Sequence, residues 1–163
     1  ELVAKTMLHE CYIKRDDLSE SETLNVSTLK LDYLHRSRSR GRAKDSQDED
    51  VAWFLERGGV IADGEILQSR EGRLIKILAA DESVSEIHAE PEALIHAAYH
   101  LGNRHLPLQI GQGWLRYQQD HVIDAMIASF KLDVQHVDAP FDPESGAYHS
   151  ATKKSAHEHH HHD

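Results

Sequence analysis

Residues 83–119 read "SVSEIHAEPEALIHAAYHLGNRHLPLQIGQGWLRYQQ", and the order of elements within them decides the fold. The first seven residues form a strand-like run, with Val84 and the residues near Ile87 set to face a core. A helix follows. Pro91 suits its first turn, where a missing N–H costs nothing, and Glu90 and Glu92 complement its positive end. Leu94, Ala97, Ala98 and Leu101 recur at helical spacing as an apolar stripe. Gly102-Asn103 is read as the C-cap. Then "LPLQIG" (106–111) and "GWLRYQQ" (113–119) read as two strands close enough for a hairpin. Asp120 is placed to cap a second helix, with Val122, Ile123, Met126, Ile127 and Phe130 on its buried face. "DVQHVDAPF" (133–141) closes as a strand, with Val134 and Val137 alternating. From residue 83 the order is β-α-β-β-α-β. That is the ferredoxin-like arrangement, with two helices on one face of a four-stranded antiparallel sheet.

The first third has a different texture. "TMLHECYIK" (6–14) and "TLNVSTLKLDYLHR" (23–36) read as short strands, the second alternating at Leu29, Leu31 and Tyr33. "RSRSRGRAKDSQDEDVAWFL" (36–55) reads as a charged strand, an acidic turn and another strand. Gly58-Gly59, Asp63-Gly64 and Glu71-Gly72 are turn signals. Many short strands with glycine turns predict a small barrel or sandwich. The expected organisation is therefore a β-rich domain over 1–78, a ferredoxin-like domain over 79–143 and a flexible histidine-containing tail over 144–163.

The formal charge of -10 argues against broad nucleic-acid binding, which requires a basic footprint. Cys11 is the only cysteine, which excludes an intramolecular disulfide and points to a reducing, cytoplasmic setting. Its default role is buried packing. No apolar run approaches the ~18 residues of a membrane span, and no signal peptide is evident, although the chain opens on Glu1. Of 14 histidines, nine lie outside the last seven residues, so a terminal tag alone does not explain the excess.

Several histidines are candidate ligands. His96 and His100 share one helix face at i, i+4, a spacing that grips a single metal ion, but the intervening residues are not those of a zincin. A surface or interface pair is the alternative. His105 follows the helix end and is equally read as part of a capping turn. His121 sits at a helix N-terminus, where the dipole favours the neutral imidazole that metals bind. His157, His159, His160, His161 and His162 could bind nickel, copper or zinc, or be an expression tag. Arg36, Arg38, Arg40, Arg42 and Lys44 alternate, giving either a solvated basic face or a docking surface for an acidic protein. RNA is disfavoured there because the strip lacks interleaved aromatics. There is no P-loop, dinucleotide fingerprint, nucleophile elbow or paired-cysteine zinc site.

"AAYHLGNRHLPLQI", "LRYQQDHVIDAM" and "APFDPESGAY", with the earlier "RSRSRGRA" and "VAWFLERGGVIADGEIL", resemble the UreE family of urease accessory proteins, which deliver nickel to urease. The resemblance covers nearly the whole chain. It implies a β-rich domain that engages protein partners and a ferredoxin-like domain that binds metal and forms a homodimer. The His105 of each subunit would meet at the interface and share one nickel ion. His100 matches a histidine often found in that run; His96 has no role to carry over. His121 matches a peripheral metal-binding histidine of some members, but Gln118 and Gln119 stand where those members have histidines, so this site should be weaker. The tail histidines would be a short form of the family's nickel-storing tails. Nickel would be cargo, with zinc or copper competing for the same sites, and affinity should fall with falling pH as imidazole protonates. Partners would be the urease apoprotein and accessory proteins including a GTPase, with no nucleic acid, no membrane and no enzymatic turnover. A metal-dependent hydrolase and a non-metal interaction module are the rival readings.

Overall fold

The computed structural model describes residues 7–146. The tail histidines His157 and His159–His162 lie outside the described residues. The first strand, β1 (Leu8–Arg15), is followed not by one long strand but by a helical turn, α1 (Glu20–Thr23), then β2 (Ser27–Leu31), then a second turn, α2 (Tyr33–Arg36). The run over 23–36, expected as a single strand, is broken by caps at both ends. Ser19 and Glu22 form a reciprocal capping box, and Asp32 accepts the His35 N–H at 2.9 Å. Leu29 and Leu31 are buried as the alternation predicts; Tyr33 opens a helix instead.

Next come β3 (Arg40–Lys44), β4 (Asp50–Phe54), β5 (Ile66–Ser69) and β6 (Leu74–Ala79). All six strands form one sheet in the order β2-β6-β5-β1-β4-β3. β1/β4 and β2/β6 are parallel, and the other neighbours are antiparallel. The sheet curls until the turn after β3 reaches β2. Ser46 donates its N–H to Thr28 O at 2.7 Å, and the Thr28 N–H donates to Ser46 Oγ at 3.0 Å. A partly closed single sheet thus replaces the sandwich alternative. Its core holds Cys11, Leu29, Val51, Trp53, Leu67, Ile75 and Ile77. The Trp53 indole lies directly across Gly41, where a Cβ would come within 2.0 Å of Cζ2, so no larger residue fits there. Burial pushes the Cys11 thiol up to about 12, which suits an inert packing residue.

The second unit contains β7 (Asp81–His88), α3 (Pro91–Asn103), β8 (Gln109–Gly111), β9 (Trp114–Gln118), α4 (His121–Ser129) and β10 (Gln135–Pro140). Its sheet order is β10-β7-β9-β8 with every neighbour antiparallel. Leu94, Ala97 and Leu101 of α3 and Ile123 and Ile127 of α4 pack with Ile87, Leu115 and Tyr117 from the strands. Asp120 caps α4 as expected, accepting from Val122 N at 2.8 Å and Ile123 N at 3.1 Å. Val122 and Phe130 do not join its buried face; both are exposed.

Arg36 joins the two units. It does not belong to the basic strip but is fully buried. Its guanidinium donates to Leu31 O at 3.2 Å, Ile61 O at 3.1 Å and Asp142 Oδ1 at 3.3 Å, and also to Phe141 O. Tyr33 beside it donates its N–H to Glu82 Oε2 at 2.9 Å and packs edge-on against Phe141. A helical turn of the first unit therefore holds the start of β7 and the chain leaving β10.

Candidate metal centre

The helix α3 runs through Gly102 and Asn103, beyond the expected glycine cap. Arg104 is the C-cap, and the residue that takes the left-handed conformation is His105, with φ of 55°. Its N–H closes the turn on Gly102 O at 3.0 Å. Glycine is the usual occupant of that position, and a side chain with a Cβ there costs stability. The left-handed turn carries His105 off the end of the helix into solvent. A strained backbone beneath an exposed imidazole is the kind of outlier that accompanies function.

The face of α3 beside it is apolar and uncovered. Ile95 is 70% exposed and Tyr99 67%, although both are large side chains on a helix whose opposite face is core. His100, the i+4 partner of His96, contacts two other rings. Its ring lies 4.7 Å from that of Phe130 and edge-on to Tyr99 at 5.3 Å. His100 and Phe130 thus extend the apolar surface, which explains why Phe130 leaves the α4 core. His96 is exposed on the same helix.

His121 is exposed at the first position of α4, beside Glu82, Ser83, Gln118, Gln119 and Asp120. The two glutamines are engaged elsewhere. Gln118 donates to Glu82 Oε1 at 2.9 Å, and the Gln119 amide lies 3.4 Å from His136 Nδ1. His136 Nε2 is held 2.7 Å from Asp124 Oδ2, while Asp124 Oδ1 accepts from Ser85 at 2.7 Å and Tyr117 at 2.6 Å. Burial opposes ionisation of Asp124, but these hydrogen bonds from Tyr117, Ser85 and His136 hold its carboxyl below the usual range. This network, which pattern reading missed, ties α4 to three strands.

Among the described residues, no group of three or more His, Cys, Asp and Glu side chains is assembled to hold a metal ion. His105 lies just past the end of α3 and His121 opens α4.

A mostly β unit clamped to an α+β unit, with an exposed histidine and an uncovered helix face, defines a two-unit class of protein. The comparisons with known proteins give this class a family. Residues 12–80 match the N-terminal domain of the UreE urease accessory protein and residues 82–163 match its C-terminal domain, so the chain belongs to the UreE urease accessory protein family. It is 46% identical over 141 residues to the urease accessory protein UreE of Teredinibacter turnerae, covering 86% of this chain and 90% of that protein. It is 49% identical over 126 residues to the UreE of Saccharophagus degradans, covering 77% and 75%. It is 48% identical over 137 residues to the UreE of Pseudomonas putida, covering 82% of each. The chain is accordingly an accessory chaperone of urease maturation and not an enzyme.

Proposed function

We propose that this protein is a nickel metallochaperone that carries Ni(II) as cargo for assembly of the urease active site. The C-terminal unit is read as ferredoxin-like, which its element and strand orders support. Two copies meet across the α3 face through Ile95, Tyr99 and Phe130, and the His105 imidazoles of both copies hold one ion. The observation that carries this reading is His105 itself: exposed, in the left-handed region, and next to an uncovered apolar surface. A two-fold axis presents each residue twice, so a single exposed histidine becomes a pair. Imidazole suits nickel, zinc and copper alike, and two ligands leave the remaining coordination positions for water or for a partner's ligand. That openness is what a donor of metal needs.

In this reading His100 shapes the interface through its stacking on Phe130, and His121 is a weak peripheral ligand, because Gln118 and Gln119 are committed to Glu82 and His136. His157 and His159–His162 serve as a secondary nickel store. The recipients are the urease apoprotein and its accessory proteins, including a GTPase, in the cytoplasm. No helix among the described residues is long and apolar enough to cross a membrane.

The test is a nickel titration followed by mass spectrometry of the intact assembly, with calorimetry alongside. The expected result is a dimer with one tight nickel per two chains, plus weaker uptake that disappears when the chain is cut after Ser150. His105→Ala should abolish the tight event. If that event persists unchanged in the variant, the ligand is not His105.

A further inference from the structure

The first unit carries a surface that metal binding does not use. Arg40 faces Phe54 across the β3/β4 pair, and its guanidinium lies 5.9 Å from the Phe54 ring centroid. Phe54 stacks on Tyr12 at 5.1 Å, with the rings 17° from parallel. Arg70 lies 4.7 Å over Tyr12. A cation–ring–ring–cation row therefore crosses β3, β4 and β1. Tyr12 also borders a cleft of about 1050 Å³ whose apolar walls include Ile13, Tyr33, Leu55 and Val60.

The cations of the cleft are Lys14, Arg38 and Arg57. Lys14 is paired with Glu65 at 3.0 Å. Among the described residues, no carboxylate lies within ion-pair distance of Arg38, Arg40 or Arg57, in a chain whose net charge is -10. Of the acids in the cleft, Asp142 is taken by Arg36, and Glu56 and Glu144 also line it. The cleft is open and at the upper end of the size of small-molecule pockets.

We propose that the cleft and the adjoining arginine–aromatic row dock an acidic, partly apolar, extended segment of a partner protein. Its carboxylates pair with Arg38, Arg40 and Arg57, and its apolar side chains enter between Ile13, Leu55 and Val60. The rings that would make this face a nucleic-acid platform are stacked on each other and flanked by Arg40 and Arg70, so a base finds no free face to stack on. The inference rests on the reading of the first unit as the partner-engaging one. It supplies the surface and the chemistry of the partner.

The probe is a short fluorescein-labelled peptide of alternating Glu and Leu, titrated with the full chain and followed by anisotropy. The wild-type protein should bind it, and the Arg38→Glu/Arg57→Glu double variant should weaken binding at least about tenfold, since reversing two charges turns attraction into repulsion. Unchanged circular dichroism and melting of that variant exclude loss of fold as the cause. His105→Ala should bind the peptide like wild type, so failure of the metal assignment leaves this result intact. No binding by wild type, equal binding of a Lys-Leu peptide, or indifference to the double substitution would each overturn the proposal. Tighter binding of single-stranded oligouridylate than of the Glu-Leu peptide would overturn it in favour of nucleic acid.

Discussion

At the scale of single residues, the proposed role of His105 can be separated from its effect on stability. A left-handed C′ position prefers glycine, so His105→Gly relieves strain that the wild type carries. We expect its melting temperature to equal or exceed that of the wild type while tight nickel binding is lost. A variant that loses both would show that the side chain also supports the fold. His9 offers a second test. It is buried, with its ring nitrogens held by Glu49 and Glu71. Burial alone would disfavour the cation, but the hydrogen bonds to the two carboxylates outweigh it, and the Glu49 charge adds to them, so its pKa stands above the ordinary histidine value. Nearby Arg73 pulls the other way and is itself paired with Asp45 at 2.7 Å. A raised histidine pKa stabilises the fold fully below the unfolded value near 6.5, and that contribution is lost as pH rises through the folded value. Thermal melts should therefore show the wild type exceeding His9→Gln most at pH 6, with the gap narrowing as the pH rises above neutrality. A gap that widened with pH would refute the charged assignment.

At the scale of elements, helix α3 makes two faces do different work. Leu94, Ala97 and Leu101 were legible as its core stripe because burial in a chain's own core imposes a helical period. Ile95 and Tyr99 fall outside that stripe and are exposed; on the proposed reading a second copy covers them, and such a contact leaves no period of its own in so short a helix. Tyr99→Asp should leave the fold intact and shift the protein to monomer in sedimentation equilibrium, with loss of the shared nickel. Persistence of the dimer would move the interface elsewhere. The end of α3 was misread for a related reason. Gly102-Asn103 is a standard stop signal, but the helix continues through it, and the actual stop, His105, is a residue whose backbone preference argues against that role. In the first unit the unread features were caps. Ser19 with Glu22, and Asp32, cap two helical turns, Glu20–Thr23 and Tyr33–Arg36, that trim the strand-like run to β2.

For the whole molecule, the two-unit organisation was readable from the change in texture near residue 80, but the junction was not. Arg36 lay within an alternating basic run and was grouped with Arg38, Arg40, Arg42 and Lys44. Contacts with Ile61, Phe141 and Asp142, all distant in sequence, are what bury it. Its removal would take a donor from four acceptors, of which Leu31 O keeps the Ala80 N–H and Asp142 Oδ1 the Asp63 N–H, while Ile61 O and Phe141 O are left unpaired. Arg36→Ala should cost about 3–5 kcal/mol, the range for breaking a buried charged cluster, measured as a lowered urea midpoint. Arg36→Lys should rescue little, because an ammonium lacks the planar fork that serves four acceptors. A cost under about 1 kcal/mol would mean that the junction is solvated.

The segment leaving β10 carries a further consequence. It is stitched beside β8, with the Asp142 N–H donating to Gln109 Oε1 at 3.0 Å and the Glu144 N–H to Leu108 O at 2.8 Å. Leu108 is three residues from His105. Thirteen residue steps separate Glu144 from His157, a contour of at most about 45 Å. Chain length alone thus bounds how far His157 can lie from Glu144. On the proposed nickel reading, the encounter of His157 with an ion at His105 is set by an effective concentration that dilution of the protein leaves unaltered.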